Sequence, residues 1–266
     1  MPTPRAARLS SLAYSVMITD PWFYAAAIPA VIVLGLSKGG FTTIGLLTVP
    51  IMALAISPVR AAGITLPILV VSDVVAVIAY WRVYDAATLK IMLPGALIGI
   101  AAGWLAATAV NESYVRLIVG LISIVFAMQF FVGKEQRLES HTHNAWKGTF
   151  WGALTGFTSF VSHSGGPPYQ VYVTPLRQEP SLFAGTSVIF FAIVNALKLV
   201  PYFYLGQFDR ENLVTAAALF PLAIPSTLLA VWLVKRFDPK RFYYLIYATI
   251  LVVGLYLVAE GIVAIV

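Results

Sequence analysis

The sequence predicts an all-α, polytopic transmembrane bundle made of two inverted repeats, each carrying a Gly-Gly-broken, re-entrant-like helical hairpin. Three observations predict it. Apolar runs of about 17–25 residues recur along the chain, each long enough to span a bilayer. Two polar breaks, "SKGGFTT" at Gly39-Gly40 and "SHSGGPP" at Gly165-Gly166, interrupt those runs 126 positions apart. The most polar connection, "GKEQRLESHTHNAWK" at 133–147, divides the 266 residues near their middle.

Composition narrows the class. Apolar residues make up 60% of the chain and charged residues 11%, and the mean hydropathy is +0.87. A soluble domain carries about 25% charged residues. A transmembrane barrel would alternate over segments of about 10 residues, whereas these runs are continuously apolar. The formal charge of +6 sits in short connections, as expected where cytoplasmic loops collect Lys and Arg. With no basic domain and no low-complexity tail, nucleic acid is not an expected partner. Cysteine is absent, which excludes disulfides, thiolate metal sites and a cysteine-based sulfur relay.

Taken in order, residues 1–20 read as a tail, because Arg5 and Arg8 precede too weak an apolar core for a cleaved signal peptide. The first repeat, 21–132, holds segments at 21–37, 41–56, 60–81, 88–109 and 113–132. A cytoplasmic linker occupies 133–145. The second repeat, 146–266, holds segments at 146–162, 167–178, 182–205, 211–234 and 240–265. The halves match in detail. "RAAGITLPILVVSDVVAVIAY" (60–80) aligns with "LFAGTSVIFFAIVNALKLVPY" (182–202), placing Gly63 on Gly185 and Asp73 on Asn195. "NESYVRLIVGLISIVFA" (111–127) aligns with "DPKRFYYLIYATILVVG" (238–254).

Basic residues orient the bundle. Arg82 and Lys90, then Lys134, Arg137 and Lys147, then Lys235, Arg236, Lys240 and Arg241 fall in connections that share the cytoplasmic side. The 206–210 loop, the C-terminus and the N-terminal tail are then external, the last against its two arginines. Five segments per half, an odd number, invert the second half. Trp22, Trp81, Trp104, Trp146, Trp151 and Trp232 lie near segment ends as interfacial anchors. The run "GALIGIAAG" (95–103) permits close helix contact, within the chain or between copies of a homo-oligomer.

Short, Gly- or Pro-broken segments at corresponding positions of inverted repeats point to a transporter site near the midplane. Non-helical backbone at that depth must be buried in protein or line a cavity. Each Gly pair is expected to begin a helix, at about Phe41 and Pro167, whose first-turn amides and dipole favour an anion. Lys38, inside the membrane, is a functional residue by default and can pair an oxyanion. Asp73 can pair with Lys38. The expected substrate-binding set is Ser37, Lys38, Gly39, Gly40, Phe41 and Thr42 at the first break. At the second it is Ser162, His163, Ser164, Gly165, Gly166, Pro167 and Gln170, joined by Asn195. Asp73 and His163 are the candidates for carrying a coupled proton. Lys198, three positions after Asn195, lies roughly on the same helix face, and the alternative is that it reaches back to water. Thr65, Thr186 and Ser187 can supply hydroxyls. His141 and His143 form a pair without a third ligand, so no metal, cofactor or catalytic set is expected.

The stretches "GLSKGGFTTIGLLTVPIMALAISPVRAAGITLPILVVSDVVAVIAYWRVYD" and "GFTSFVSHSGGPPYQVYVTPLRQEPSLFAGTSVIFFAIVNALKLVPYFYLGQF" resemble the TauE/SafE family, the sulfite exporters of bacterial membranes, over about residues 25–260. The resemblance implies export of small sulfur oxyanions or organosulfonates, such as sulfite or sulfoacetate, across the cytoplasmic membrane. Thr42 and Thr43 stand where glycine is usual in that family. The alternatives are an anion channel on the same hairpins, a carrier for another small organic anion, and an intramembrane enzyme. The enzyme lacks a nucleophile, metal set or acid pair in the apolar segments.

Overall fold

A computed structural model describes residues 17–106, 110–132 and 142–265. The tail with Arg5 and Arg8, and the linker positions Lys134, Arg137 and His141, lie outside the described residues. Within them every regular element is helical. Helix α1 spans Pro21–Ser37, α2 Thr48–Ala53, α3 Pro58–Tyr80, α4 Ala86–Leu105 and α5 Glu112–Phe131. The second half follows with α6 Ala145–Ser162, α7 Gly166–Val173, α8 Pro180–Tyr204, α9 Arg210–Val234 and α10 Pro239–Val263. Six helices, α3, α4, α5, α8, α9 and α10, are long and apolar enough to cross a membrane.

Local chemistry explains the helix starts. Asp20, Ser57, Asp85, Asn111, Asn144, Asp209 and Asp238 each accept a first-turn N–H. Such caps stabilise a helix by about 0.5–2 kcal/mol each. The expected segment 41–56 is not one α-helix. A six-residue 3-10 helix, Thr42–Leu47, runs into α2. Two β-branched threonines and Gly45 are poor α-formers, and the tighter 3-10 turn suits a short stretch wedged against α7. The expected segment 167–178 likewise shortens to α7 and a 3-10 turn at Thr174–Leu176.

Helix α4 packs on α6 backbone to backbone. A Cβ added at Gly99 would stand 2.0 Å from the Ala153 oxygen, and one at Gly156 2.2 Å from the Ala96 oxygen. Gly95 meets the Thr149 oxygen in the same way, at 2.0 Å, while Gly103 faces the Phe160 side chain at 3.1 Å. The "GALIGIAAG" run is therefore spent inside the chain. Helix α5 packs on α10, α9 on both α1 and α3, and α3 on α8.

Polar connections gather at the two ends of the bundle. At one end the Asp85 carboxylate meets His143 at 2.6 Å, Thr88 at 2.6 Å and Gln178 at 2.9 Å. The Tyr243 hydroxyl, from the first turn of α10, donates to the Gln178 carbonyl at 2.6 Å. Burial pushes the Asp85 carboxyl up. The hydrogen bonds from Thr88, His143 and the Ala87 amide outweigh it and hold the group below the ordinary carboxylate value. At the other end Arg60 pairs with Glu211 at 2.6 Å, and Arg116 with Glu260 at 2.7 Å and Glu112 at 3.0 Å.

The α4–α6 contact leaves no room for a side chain. Gly99→Val should force the helices apart and cost more than about 2 kcal/mol, read as a lowered thermal midpoint in detergent; an unchanged midpoint would contradict the packing.

Candidate anion site

The two polar breaks meet. Gln170, on α7, donates from Nε2 to the Gly40 carbonyl at 3.2 Å, and its Oε1 accepts from the Thr43 hydroxyl. A Cβ on Gly166 would lie 2.8 Å from the Thr43 Cα, so only glycine lets the backbones approach this closely. Gly40 has φ +89° and faces Phe242 and Phe183, a conformation that side-chain-bearing residues resist. Around this junction lies a cavity of ≈ 60 Å³, counted as space open to water centres. A single water needs about 10–15 Å³ on that measure. Both breaks, α3 and α8 line it.

On one wall the Lys38 ammonium stands 2.5 Å from Asp73 Oδ1, with both side chains buried. Asn195 Nδ2 donates to the other oxygen, Oδ2, at 2.7 Å. Both oxygens of the carboxylate are thus engaged, and Lys38 is neutralised where it stands. Asp73 of α3 and Asn195 of α8 are thus in direct contact.

One turn along α8 from Asn195, Lys198 is fully buried. It does not reach water, because α8 continues to Tyr204 and the end of α6 covers it. Its Nζ donates to the Ser159 carbonyl at 2.8 Å and lies 3.3 Å from His163 Nδ1. The Ser159 hydroxyl, at 3.5 Å, is beyond ordinary hydrogen-bond length. Among the described residues no carboxylate lies within 4.0 Å of Lys198. His163 Nε2 contacts the Tyr202 hydroxyl at 2.7 Å. His163 has φ 54°, a left-handed conformation that costs about 1–2 kcal/mol and is tolerated where surroundings hold it. His163 also lines a second cavity of ≈ 250 Å³ on the same measure, toward the Arg116 end, with Tyr202, Glu112, Arg116 and Gln207.

Of the residues expected at the site, Ser37, Lys38, Thr42, His163, Gly166 and Asn195 line the smaller cavity. The Thr42 hydroxyl is buried without a protein partner. Asp73 stands behind Lys38. Gly39, Gly40, Phe41, Gly165, Pro167 and Gln170 shape the junction without lining the cavity. Phe41 packs on Phe237 and Phe242. The Ser162 and Ser164 hydroxyls bond backbone carbonyls of their own segment, and Ser162 lines the larger cavity. Thr65 and Ser187 line the smaller one, whereas Thr186 accepts from the Asp85 amide at the far end of α8.

The supply of backbone amides is smaller than the Gly pairs suggest. Pro167 and Pro168 carry no N–H, and the Tyr169 amide already bonds Gly165. The side-chain polar capacity of the cavity includes one neutralised ion pair, one lysine without a carboxylate, and the Thr42 hydroxyl. Asp73→Asn alone strands the Lys38 charge and should cost about 3–5 kcal/mol. The double variant Lys38→Met/Asp73→Asn should recover most of that loss in thermal unfolding; a double variant no more stable than Asp73→Asn would show that the pair is not the source.

The sequence profile described as "Sulfite exporter TauE/SafE" matches residues 27–257. No curated protein and no solved structure matches the chain. The match takes in both breaks, both cavities and all six membrane-crossing helices except the last turns of α10. A multi-pass membrane protein with a buried, cation-bearing cavity fits that description, and the chain belongs to the TauE/SafE family of membrane transporters, which handle sulfur-containing anions.

Proposed function

We propose that the chain exports small sulfur-containing anions, such as sulfite, sulfoacetate or related organosulfonates, across the bacterial cytoplasmic membrane by alternating access. The observation that carries this reading is Lys198. A buried lysine without a carboxylate, facing a cavity between two helix breaks, is matched by an anion and by little else. Thr42 offers a further hydroxyl. Asp73 and Lys38 cancel each other, so the cavity's attraction for an anion comes from Lys198.

Several features support two inverted repeats. Exchanging the halves maps the α4–α6 packing onto α9–α1, and the α9–α3 packing onto α4–α8. Gly63 abuts the Gln207 carbonyl in the loop after α8, as Gly185 abuts the Val83 carbonyl in the loop after α3. On this reading α1 and the Thr42–Ala53 stretch form a hairpin from outside, and α6 and α7 one from the cytoplasm. The basic residues of 82–90 and 235–241 put the Asp85 end in the cytoplasm. Phe41, Phe183, Phe237 and Phe242 cluster between the cavity and that end. The larger cavity lies on the opposite side, so this conformation suits an outward-facing state.

Counterflow of labelled sulfite in proteoliposomes tests the reading. Saturable exchange is expected, with sulfoacetate competing. Lys198→Met should weaken it about 10- to 100-fold, the worth of a charged hydrogen bond. Flux that does not saturate and shows no counterflow would indicate a channel. Full exchange in Lys198→Met would remove Lys198 from the site.

A further inference from the structure

The position of Lys198 raises a question that anion binding alone does not answer. An ammonium held in an apolar bundle without a counter-charge costs several kcal/mol. Its neighbours do not remove that cost. Among the groups facing it, α6 contributes the Ser159 carbonyl and His163, and its own helix contributes Asn195 and Tyr202, all uncharged or, for His163, a base. From α3, Asp73 is spent on Lys38 of α1 and on Asn195. From α5, Arg116 and Glu112 line the larger cavity beyond His163 and pair with each other. A neutral amine, by contrast, fits the same contacts. It keeps an N–H for the Ser159 carbonyl and offers its lone pair to a proton on His163 Nδ1.

His163 is the one titratable side chain that lines both cavities. Its two ring nitrogens face different partners, Nδ1 toward Lys198 at 3.3 Å and Nε2 toward Tyr202 at 2.7 Å. Tyr202 in turn lines the larger cavity. Lys198, His163 and Tyr202 thus form an unbroken chain of hydrogen-bonding atoms from the smaller cavity to the larger one.

We propose that Lys198 is neutral while the cavity is empty and takes up one proton as the anion enters, delivered from the larger cavity through Tyr202 and His163. The inference rests on the reading that the smaller cavity binds the transported anion. The proton on Nδ1 moves to Nζ as Nε2 receives the Tyr202 hydroxyl proton, and the phenol recovers one that enters from bulk solution, passed along by water in the larger cavity. Histidine ends neutral with its proton on the other nitrogen, and no net charge stays on the relay. The site gains one positive charge on Lys198 together with the negative charge of the anion. Anion affinity then falls as pH rises, by up to about tenfold per pH unit.

The test is proton uptake during binding, measured calorimetrically with purified protein in buffers of different ionisation enthalpy. Two probes are used: sulfite, and sulfoacetate, which exchanges no proton near neutral pH. Wild type should take up close to one proton per sulfoacetate; with sulfite, whose own protonation changes near neutral pH, the uptake should fall by that same one proton on going from wild type to Lys198→Arg. Lys198→Arg, permanently charged, should bind sulfoacetate with no uptake. Binding of sulfoacetate by wild type without proton uptake overturns the inference and leaves the function intact. Uptake with sulfoacetate that persists in Lys198→Arg overturns it as well, by placing the proton elsewhere. If folded wild type binds neither anion, the proposed function falls and the inference falls with it.

Discussion

Polar groups at the middle of a bilayer must be satisfied by other protein groups, and the architecture of this chain follows from that constraint. Two helix breaks, each with unpaired backbone, would be costly apart. Together they satisfy each other, through Gln170 on the Gly40 carbonyl and on Thr43. Lys38 and Asp73 obey the same rule, with Asn195 completing the carboxylate. Among the described residues, Lys198 is a fully buried amine with no carboxylate within 4.0 Å. On the proposed reading, an anion arriving with a proton completes it.

Close approach of backbones makes the meeting geometrically feasible. Gly166 admits the Thr42–Thr43 backbone, while the glycines of α4 and α6 bring those helices into direct contact. Polar ties at the bundle ends fix the frame around this centre. Asp85 joins the starts of α4 and α8 to His143 and Gln178, and Arg116 joins α5 to α10.

Much of this was legible in the sequence, for physical reasons. Long apolar runs can only be helices in hydrocarbon, so the six crossing helices followed from length and composition. The pairing of Lys38 with Asp73 followed from the cost of leaving either alone. Other features depended on tertiary context. Lys198 lies within a turn or two of the apparent end of its segment, where a lysine commonly reaches water, and nothing in its local sequence reveals that α6 closes over it. The second break offers fewer amides than a helix start suggests, because Pro167 and Pro168 lack the donor, and the first break starts a 3-10 helix at Thr42 rather than an α-helix. The hydroxyls of Ser162 and Ser164 looked available but bond their own backbone, a local competition that spacing does not disclose.

The central claim is that the cavity between the two breaks holds the anion against Lys198. Selenite, a heavier analogue of sulfite, makes the claim visible by anomalous X-ray diffraction from crystals grown in its presence. The account predicts a single selenium peak in the smaller cavity, within hydrogen-bonding reach of Lys198 Nζ and the Thr42 hydroxyl. A peak at Arg116 or elsewhere in the larger cavity, with the smaller one empty of selenium, would contradict it.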